Sequence, residues 1–117
     1  MTPAEVVALQ LDLYNARDLD TFMTLWADDA QMFEHPATLL ASGAAAIRER
    51  HAIRFREPNL HARLVSRMVI GNKVIDQEVV TRTFPDGPGT LEVVAIYEVV
   101  DGKIAVSWII AGTMTLD

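Results

Sequence analysis

The chain has 117 residues, half of them hydrophobic, and its sixteen acidic and ten basic side chains leave a formal net charge of −6. That charge argues against nucleic acid as a partner, and the absence of cysteine excludes disulfides, thiolate metal sites and cysteine nucleophiles. A chain of this length buries about two-thirds of its unfolded surface around one core, so residues 1–117 are read as a single domain.

The N-terminus opens a helix. Thr2-Pro3-Ala4-Glu5 has the form of a capping box with proline at the first helical position. Val6, Leu9 and Leu13, with Val7 and Tyr14 less regularly, supply its apolar stripe. The segment lacks a basic leader, so it is not read as a signal peptide. Asn15-Ala16-Arg17-Asp18 breaks the pattern, and Asp18 can cap a short second helix over 19–26 that Asp28-Asp29 ends. Short strands are expected at 30–34 and 38–41, separated by Pro36. Ser42-Gly43 then opens a third helix that runs to residue 57 and stops at Pro58.

After Pro58 the period changes from helical to twofold. Four long strands are expected at 60–71, 73–85, 90–100 and 103–114, joined at Gly71-Asn72, Pro85-Asp86-Gly87-Pro88-Gly89 and Asp101-Gly102. Three helices followed by an antiparallel meander give an α+β fold, with the helices on one face of a curved sheet. The longest uncharged run, 104–116, is too short for a spanning helix and rich in β-branched residues, so no membrane is expected. A cysteine-free chain fits a reducing cytoplasm.

The later strands are apolar on both faces. Leu91, Val93, Ala95, Tyr97 and Val99 alternate with Val94, Ile96 and Val100; Ile104, Val106, Trp108 and Ile110 alternate with Ala105, Ile109 and Ala111. Helices cover only one face, so a second subunit is expected on the other. That predicts a homodimer through Trp108, Val106, Ile96 and Val94, with Trp108 as the anchor. Six of the ten basic residues, Arg48, Arg50, Arg54, Arg56, Arg63 and Arg67, fall within twenty positions. They read either as a solvated face or as an anion-binding patch.

The ionisable residues that stand out lie in apolar surroundings. Glu34 and His35 sit beside Met32, Phe33 and Leu39, where a charge is either costly to bury or placed for chemistry. Adjacent on a strand, they face opposite sides, so only one can enter a pocket. His51, four residues after Ile47 and four before Phe55, falls on the inward stripe of the third helix. Alternation puts Val74, Asp76, Glu78, Val80 and Arg82 on one face of the second long strand. Asp76 and Glu78 read either as proton-handling groups, each raising the other's pKa, or as ion pairs with Arg63, Arg67 or Arg82. Trp26 and Tyr97 read as pocket wall. His35, Asp76 and Glu78 lack metal-ligand spacing, and no Walker loop, dinucleotide fingerprint or nucleophile elbow is present. Neither a metal nor a cofactor is expected.

This layout, with Ala27-Asp28-Asp29-Ala30 after the second helix, SGAAAIRE from Ser42 to Glu49, and Val100-Asp101-Gly102-Lys103-Ile104 at the last hairpin, resembles the nuclear-transport-factor-2-like superfamily. Within it the chain looks like the ketosteroid-isomerase and SnoaL-like branch, and the resemblance covers nearly the whole length. It implies a cone-shaped half-barrel enclosing one apolar pocket, with a convex face that often dimerises. On the isomerase pattern the general base falls on Glu34, or on His35 after a one-residue shift. The oxyanion-hole tyrosine falls on Gln10, the protonated aspartate on Ala95, and the tyrosine behind the oxyanion tyrosine on His51. The base position stays ionisable while both oxyanion donors change, so the steroid mechanism is not expected to carry over intact.

The resemblance therefore implies a cofactor-independent enzyme of isomerase, cyclase or epoxide-hydrolase kind. Glu34, His51, Asp76 and Glu78 are its candidate catalytic residues, with His51 and Gln10 polarising a ligand oxygen. Gln10, Trp26, His35, Ala95 and Tyr97 are the candidate substrate contacts. The alternative is a non-catalytic dimeric protein that binds a small apolar ligand.

Overall fold

The structure, a computed structural model, describes every residue from Met1 to Asp117. Thr2 caps α1 (Pro3–Ala16) as the sequence predicts: its Oγ1 accepts the Glu5 N–H at 3.2 Å, while Glu5 Oε1 accepts the Thr2 N–H at 2.8 Å. Arg17 ends the helix in the left-handed conformation, and its guanidinium donates to the carbonyls of Pro58 and Leu60. The Asn15 amide bonds both backbone groups of Ala62 at 2.8 Å each, which ties the end of α1 to a strand edge.

Helix α2 (Leu19–Met23), capped by Asp18, ends three residues before the expected 26. Trp26 already begins β1 (Trp26–Glu34), which also takes in Ala27-Asp28-Asp29, expected to lie between elements. Its partner explains this: β1 runs parallel to the last strand, β6 (Lys103–Leu116), a pairing far away in sequence. β2 (Thr38–Ser42) returns antiparallel to β1. Gly43, at φ +90, turns the chain into α3 (Ala44–Arg54), which stops three residues short of the expected 57. β3 (His61–Ile70), β4 (Lys73–Phe84) and β5 (Gly87–Val100) complete one curved, unclosed sheet in the order β2-β1-β6-β5-β4-β3. Helix α1 lies across β3 to β6 and α3 across β1 and β2, so the helices share one face of an α+β fold.

Three details of register differ from the sequence expectation. The β4–β5 turn is only Pro85-Asp86, because Phe84 pairs with Gly87 and Arg82 with Gly89. The remaining Gly87-Pro88-Gly89, expected as loop, belongs to the ladder. Gly89 is obligatory there, since a Cβ would stand 2.4 Å from the Thr115 carbonyl oxygen.

The second difference is a bulge at Ala105: Val99 opposes Ile104, but Glu98 opposes Val106. Ile104 therefore turns toward the helices and is fully buried, rather than sharing a face with Val106, Trp108 and Ile110. Ser107, Ile109 and Ala111 follow on the helix side. Alternation read straight through a strand cannot register one inserted residue. The third is a bulge at Val65, where Leu64 opposes Glu78 but Ser66 opposes Gln77. Arg67 stands opposite Asp76 in the register set by the Gly71-Asn72 turn, and the bulge brings Leu64, instead of Val65, opposite Glu78.

The core lies between the helices and the sheet. Val6, Val7, Phe22, Trp26, Met32 and Ile47 meet Val74, Tyr97, Val99 and Ile104, and a smaller cluster joins Leu11, Leu60, Ala62, Val80 and Val93. Phe22, Ile47 and Ile104 are completely buried, each worth about 1.5–3 kcal/mol of burial. Val94, Ile96, Val106 and Trp108 face away from the helices and are half-buried. No helix is long and apolar enough to cross a membrane.

Candidate functional site

Helices and sheet enclose a cavity of about 320 Å³. Helix α1 contributes Gln10 and Tyr14, one turn apart; α3 contributes Arg50, His51 and Arg54, on the same helical face as Ile47. From the sheet come Trp26, Met32 and Glu34 of β1, Glu78, Val80 and Arg82 of β4, Ala95 and Tyr97 of β5, and Ser107 of β6. Burial separates a floor from a rim. Gln10, Trp26, His51, Glu78, Ala95, Tyr97 and Ser107 are buried, whereas Glu34 and Arg50 are exposed and Arg54 and Arg82 half-exposed.

The floor holds polar atoms that the protein itself does not satisfy. Gln10 Oε1, Trp26 Nε1 and Glu78 Oε2 are buried without a hydrogen-bond partner, and all three belong to residues lining the cavity. An unsatisfied buried donor or acceptor costs about 1–3 kcal/mol. Three such atoms on residues around one cavity leave an unmet polar demand there, which the polar groups of a ligand could meet.

Charge state follows from surroundings. Burial, reinforced by the nearby Asp76 carboxylate and opposed by Arg67, pushes the Glu78 carboxyl up to about 7. Burial pushes the His51 imidazole down to about 4, with Arg50 and Arg54 adding to the effect and the bond to Ile47 opposing it. His51 Nδ1 lies 2.8 Å from the Ile47 carbonyl oxygen, which can only accept, so Nδ1 carries the hydrogen. The ring is packed among Phe22, Phe55, Trp26 and Tyr14, with centroids 4.8, 5.9, 6.1 and 6.3 Å away. Nε2 is left as an acceptor, so His51 can receive a hydrogen bond from a ligand but cannot donate one while neutral. That reverses the donor role the sequence suggested. Burial raises the Tyr14 phenol to about 12 and the Tyr97 phenol well above its ordinary value, so both remain donors.

Of the residues singled out from sequence, Gln10, Trp26, Glu34, His51, Glu78, Ala95 and Tyr97 come together around the cavity. Asp76 and His35 do not line it. Asp76 is fully buried, and Arg67 binds both its oxygens, Nε to Oδ1 at 2.7 Å and Nη2 to Oδ2 at 2.8 Å. His35 is exposed, its backbone N–H bonded to the Ile109 carbonyl oxygen. Sequence reasoning missed Tyr14, Arg50, Arg54 and Ser107 as lining residues, and it placed Arg82 on the Glu78 face of its strand without giving it a role. The i, i+3, i+4, i+7 spacing of Ile47, Arg50, His51 and Arg54 carried that signal for the arginines of α3. Alternation already set Ser107 on the face of Ile109 and Ala111, opposite Trp108, so its inward side was legible there. No group of three or more His, Asp or Glu side chains is placed to hold a metal ion.

The profile of the SnoaL-like domain family matches residues 7–107. An uncharacterized cystatin fold protein from Novosphingobium aromaticivorans superposes with a TM-score of 0.85 at 26% identity, over 93% of this chain and 97% of its own. A proposed polyketide cyclase from Sinorhizobium meliloti gives 0.74 at 25% identity, over 90% of this chain and 93% of its own. A protein with a ketosteroid isomerase-like fold from Catenulispora acidiphila, in complex with trimethylamine, gives 0.77 at 17% identity, over 93% and 85%. The last likeness is one of fold alone. No curated protein matches the chain significantly.

Proposed function

The chain belongs to the SnoaL-like domain family of the nuclear-transport-factor-2-like superfamily, and from that premise we propose a small-molecule enzyme whose acid/base group is Glu78. The fold hosts many activities, so the reading rests on the site. One observation carries it: a carboxyl poised near neutrality, with one oxygen unpartnered, shares a cavity with the unpartnered Trp26 Nε1–H. A pKa close to the working pH suits a group that must both take and return a proton.

The reaction class this supports is proton abstraction beside a carbonyl. The Glu78 carboxylate takes a proton from the carbon next to a ligand carbonyl, and the C–H electron pair passes to the oxygen as an enolate. Trp26 Nε1–H donates to that oxygen, a fixed dipole where negative charge develops. Return of the proton to a different carbon completes an isomerisation. Attack of the enolate carbon on a second carbonyl of the same molecule closes a ring, and the new alkoxide takes the proton from Glu78. His51 Nε2 accepts from a ligand hydroxyl, and the buried Gln10 amide and Tyr97 phenol fix the orientation. Glu34, exposed at the rim, meets only the outer end of a ligand. Asp76 acts through Glu78 and not on the ligand.

Turnover of a panel of enolisable ketones and diketones by wild type, Glu78→Gln and Glu34→Gln tests this. Glu78→Gln should lose about 10²- to 10⁴-fold in kcat, and Glu34→Gln far less. Equal rates for wild type and Glu78→Gln on every active substrate would remove Glu78 from the mechanism. The isomerase donor positions, Gln10 and Ala95, are changed here, which favours a second reading as a binding protein. Saturable binding across the panel with no product would support it. We also propose a homodimer through the sheet face bearing Val94, Ile96, Val106 and Trp108. Sedimentation should show a dimer that Trp108→Glu dissociates, and a monomeric wild type would refute it.

A further inference from the structure

We propose that the mouth of the cavity is an anion subsite, in which Arg50, Arg54 and Arg82 hold the carboxylate of a ring-sized apolar molecule. The proposal rests on the reading of the cavity as a ligand site, and it names what enters. The chain has sixteen acidic side chains for ten basic ones, so a guanidinium without an acid partner is unexpected. Yet the ion pairs of the molecule are Arg48–Asp20, Arg67–Asp76 and Lys73–Glu98, and none uses these three arginines; Arg54 acts on the Glu57 carboxylate only at longer range, and that carboxylate accepts instead from Thr83 and Asn59. All three line the same cavity, where the other charged rim residue is Glu34.

The crowded basic run in the sequence thus separates by role. Arg48 and Arg67 neutralise aspartates, Arg56 and Arg63 are exposed away from the cavity, and Arg50 with Arg54 turn to it from one face of α3. Their charge is felt inside: both guanidinium groups act on the buried His51 ring and on the Tyr14 phenol. Arg82 arrives from the opposite wall, its guanidinium carbon 4.5 Å from the centre of the Phe84 ring, a stacked position that limits its freedom before anything binds.

Dimensions favour a compact ligand. Arg82 and Glu78 lie four residues apart on one face of β4, about 13 Å along the strand. A molecule of two or three fused rings spans that length and fits a cavity of about 320 Å³. A carboxylate at its outer end accepts paired hydrogen bonds from planar guanidinium forks. Its apolar body then lies against Leu11, Val80 and Val93, with the inner end beside Glu78. The anion therefore sets which end of the molecule reaches the proton-handling carboxyl.

Fluorescence titration of the intact protein with 2-naphthoate and its neutral isostere 2-naphthamide tests the subsite without any turnover. Wild type should bind naphthoate about tenfold more tightly than the amide, and raising salt from about 0.05 to 0.5 M should shrink that preference. Arg54→Gln and Arg82→Gln should each weaken naphthoate several-fold while moving naphthamide less than about twofold, and Arg54→Lys should restore part of the loss. 2-Naphthalenesulfonate and naphthyl phosphate as further arms show whether the forks select a carboxylate; tighter binding of either would overturn that choice. Equal affinity for naphthoate and naphthamide, or a preference that survives the Arg50→Gln, Arg54→Gln, Arg82→Gln triple variant, would overturn the subsite. Glu78→Gln separates the two readings, since it should keep the naphthoate preference even if it proves fully active. Absence of saturable binding by any probe would overturn the subsite and the cavity's role as a ligand site together.

Discussion

Two carboxylates two residues apart on β4 have opposite fates. Asp76 and Glu78 point the same way and both are buried, at 0% and 6% exposure. Asp76 sits between Arg67 of β3 and Ala95 of β5, and its two oxygens are satisfied by one guanidinium. Glu78 sits between Leu64 and Val93, and one of its oxygens has no partner. Burial is common to both, so the neighbour supplied by strand register decides which group is held as a structural anion and which becomes a proton-handling one. The Gly71-Asn72 turn sets the Arg67–Asp76 pairing, which runs unbroken from Ile70–Lys73, and the bulge at Val65 then puts Leu64, instead of Val65, opposite Glu78.

The largest way to break this contrast is to remove the cation. Arg67→Met leaves Asp76 buried and unpaired, and should cost about 3–5 kcal/mol in urea denaturation at pH 7. Wild-type stability in Arg67→Met would show that the pair is not what holds Asp76.

Next in size is the effect of Glu78 itself. Its folded pKa, about 7, lies above the ordinary 4.5, so between those values the native state holds a proton that the unfolded chain has released. Stability therefore falls as pH rises through that window, by about 2–3 kcal/mol once above pH 7. Glu78→Gln should match wild type near pH 4 and exceed it at pH 8. A variant less stable than wild type at pH 8 would contradict the strained carboxyl.

His51 gives the mirror image, with a smaller net effect. Its folded pKa, about 4, lies below the ordinary 6.5, so the unfolded chain binds the extra proton between them. Stability contributed by the neutral ring is full above pH 6.5 and is lost as pH falls toward 4. His51→Phe should flatten that acid limb by about 2 kcal/mol, while giving up the bond to Ile47 at every pH. An unchanged acid limb would place the imidazole in water instead of among the aromatic rings.

The contrast also explains what the sequence made legible. The capping box at Thr2, the inward stripe through His51 and the alternation of β4 are local patterns, and each appears in the structure where it was expected. What failed depended on partners distant in the chain. Trp26 enters a strand because β6 pairs with it, and Ile104 takes its face from a bulge set against β5. For the site, sequence placed Asp76 and Glu78 side by side and offered Arg67 among several partners. The turn at Gly71-Asn72 already sets Arg67 opposite Asp76, whereas the unpaired residue at Val65, which puts Leu64 opposite Glu78, left no mark in the sequence. The sequence also favoured Glu34, which sits at the exposed rim, over Glu78 on the floor.

The most direct measurement is a titration of the Glu78 carboxyl by carbon-13 NMR, its signal assigned by loss in Glu78→Gln. The account predicts a midpoint near about 7 in wild type, falling in Asp76→Asn because the neighbouring negative charge is gone. A midpoint at the ordinary 4.5 in both proteins would contradict it, since Glu78 would then be a solvated carboxylate like any other.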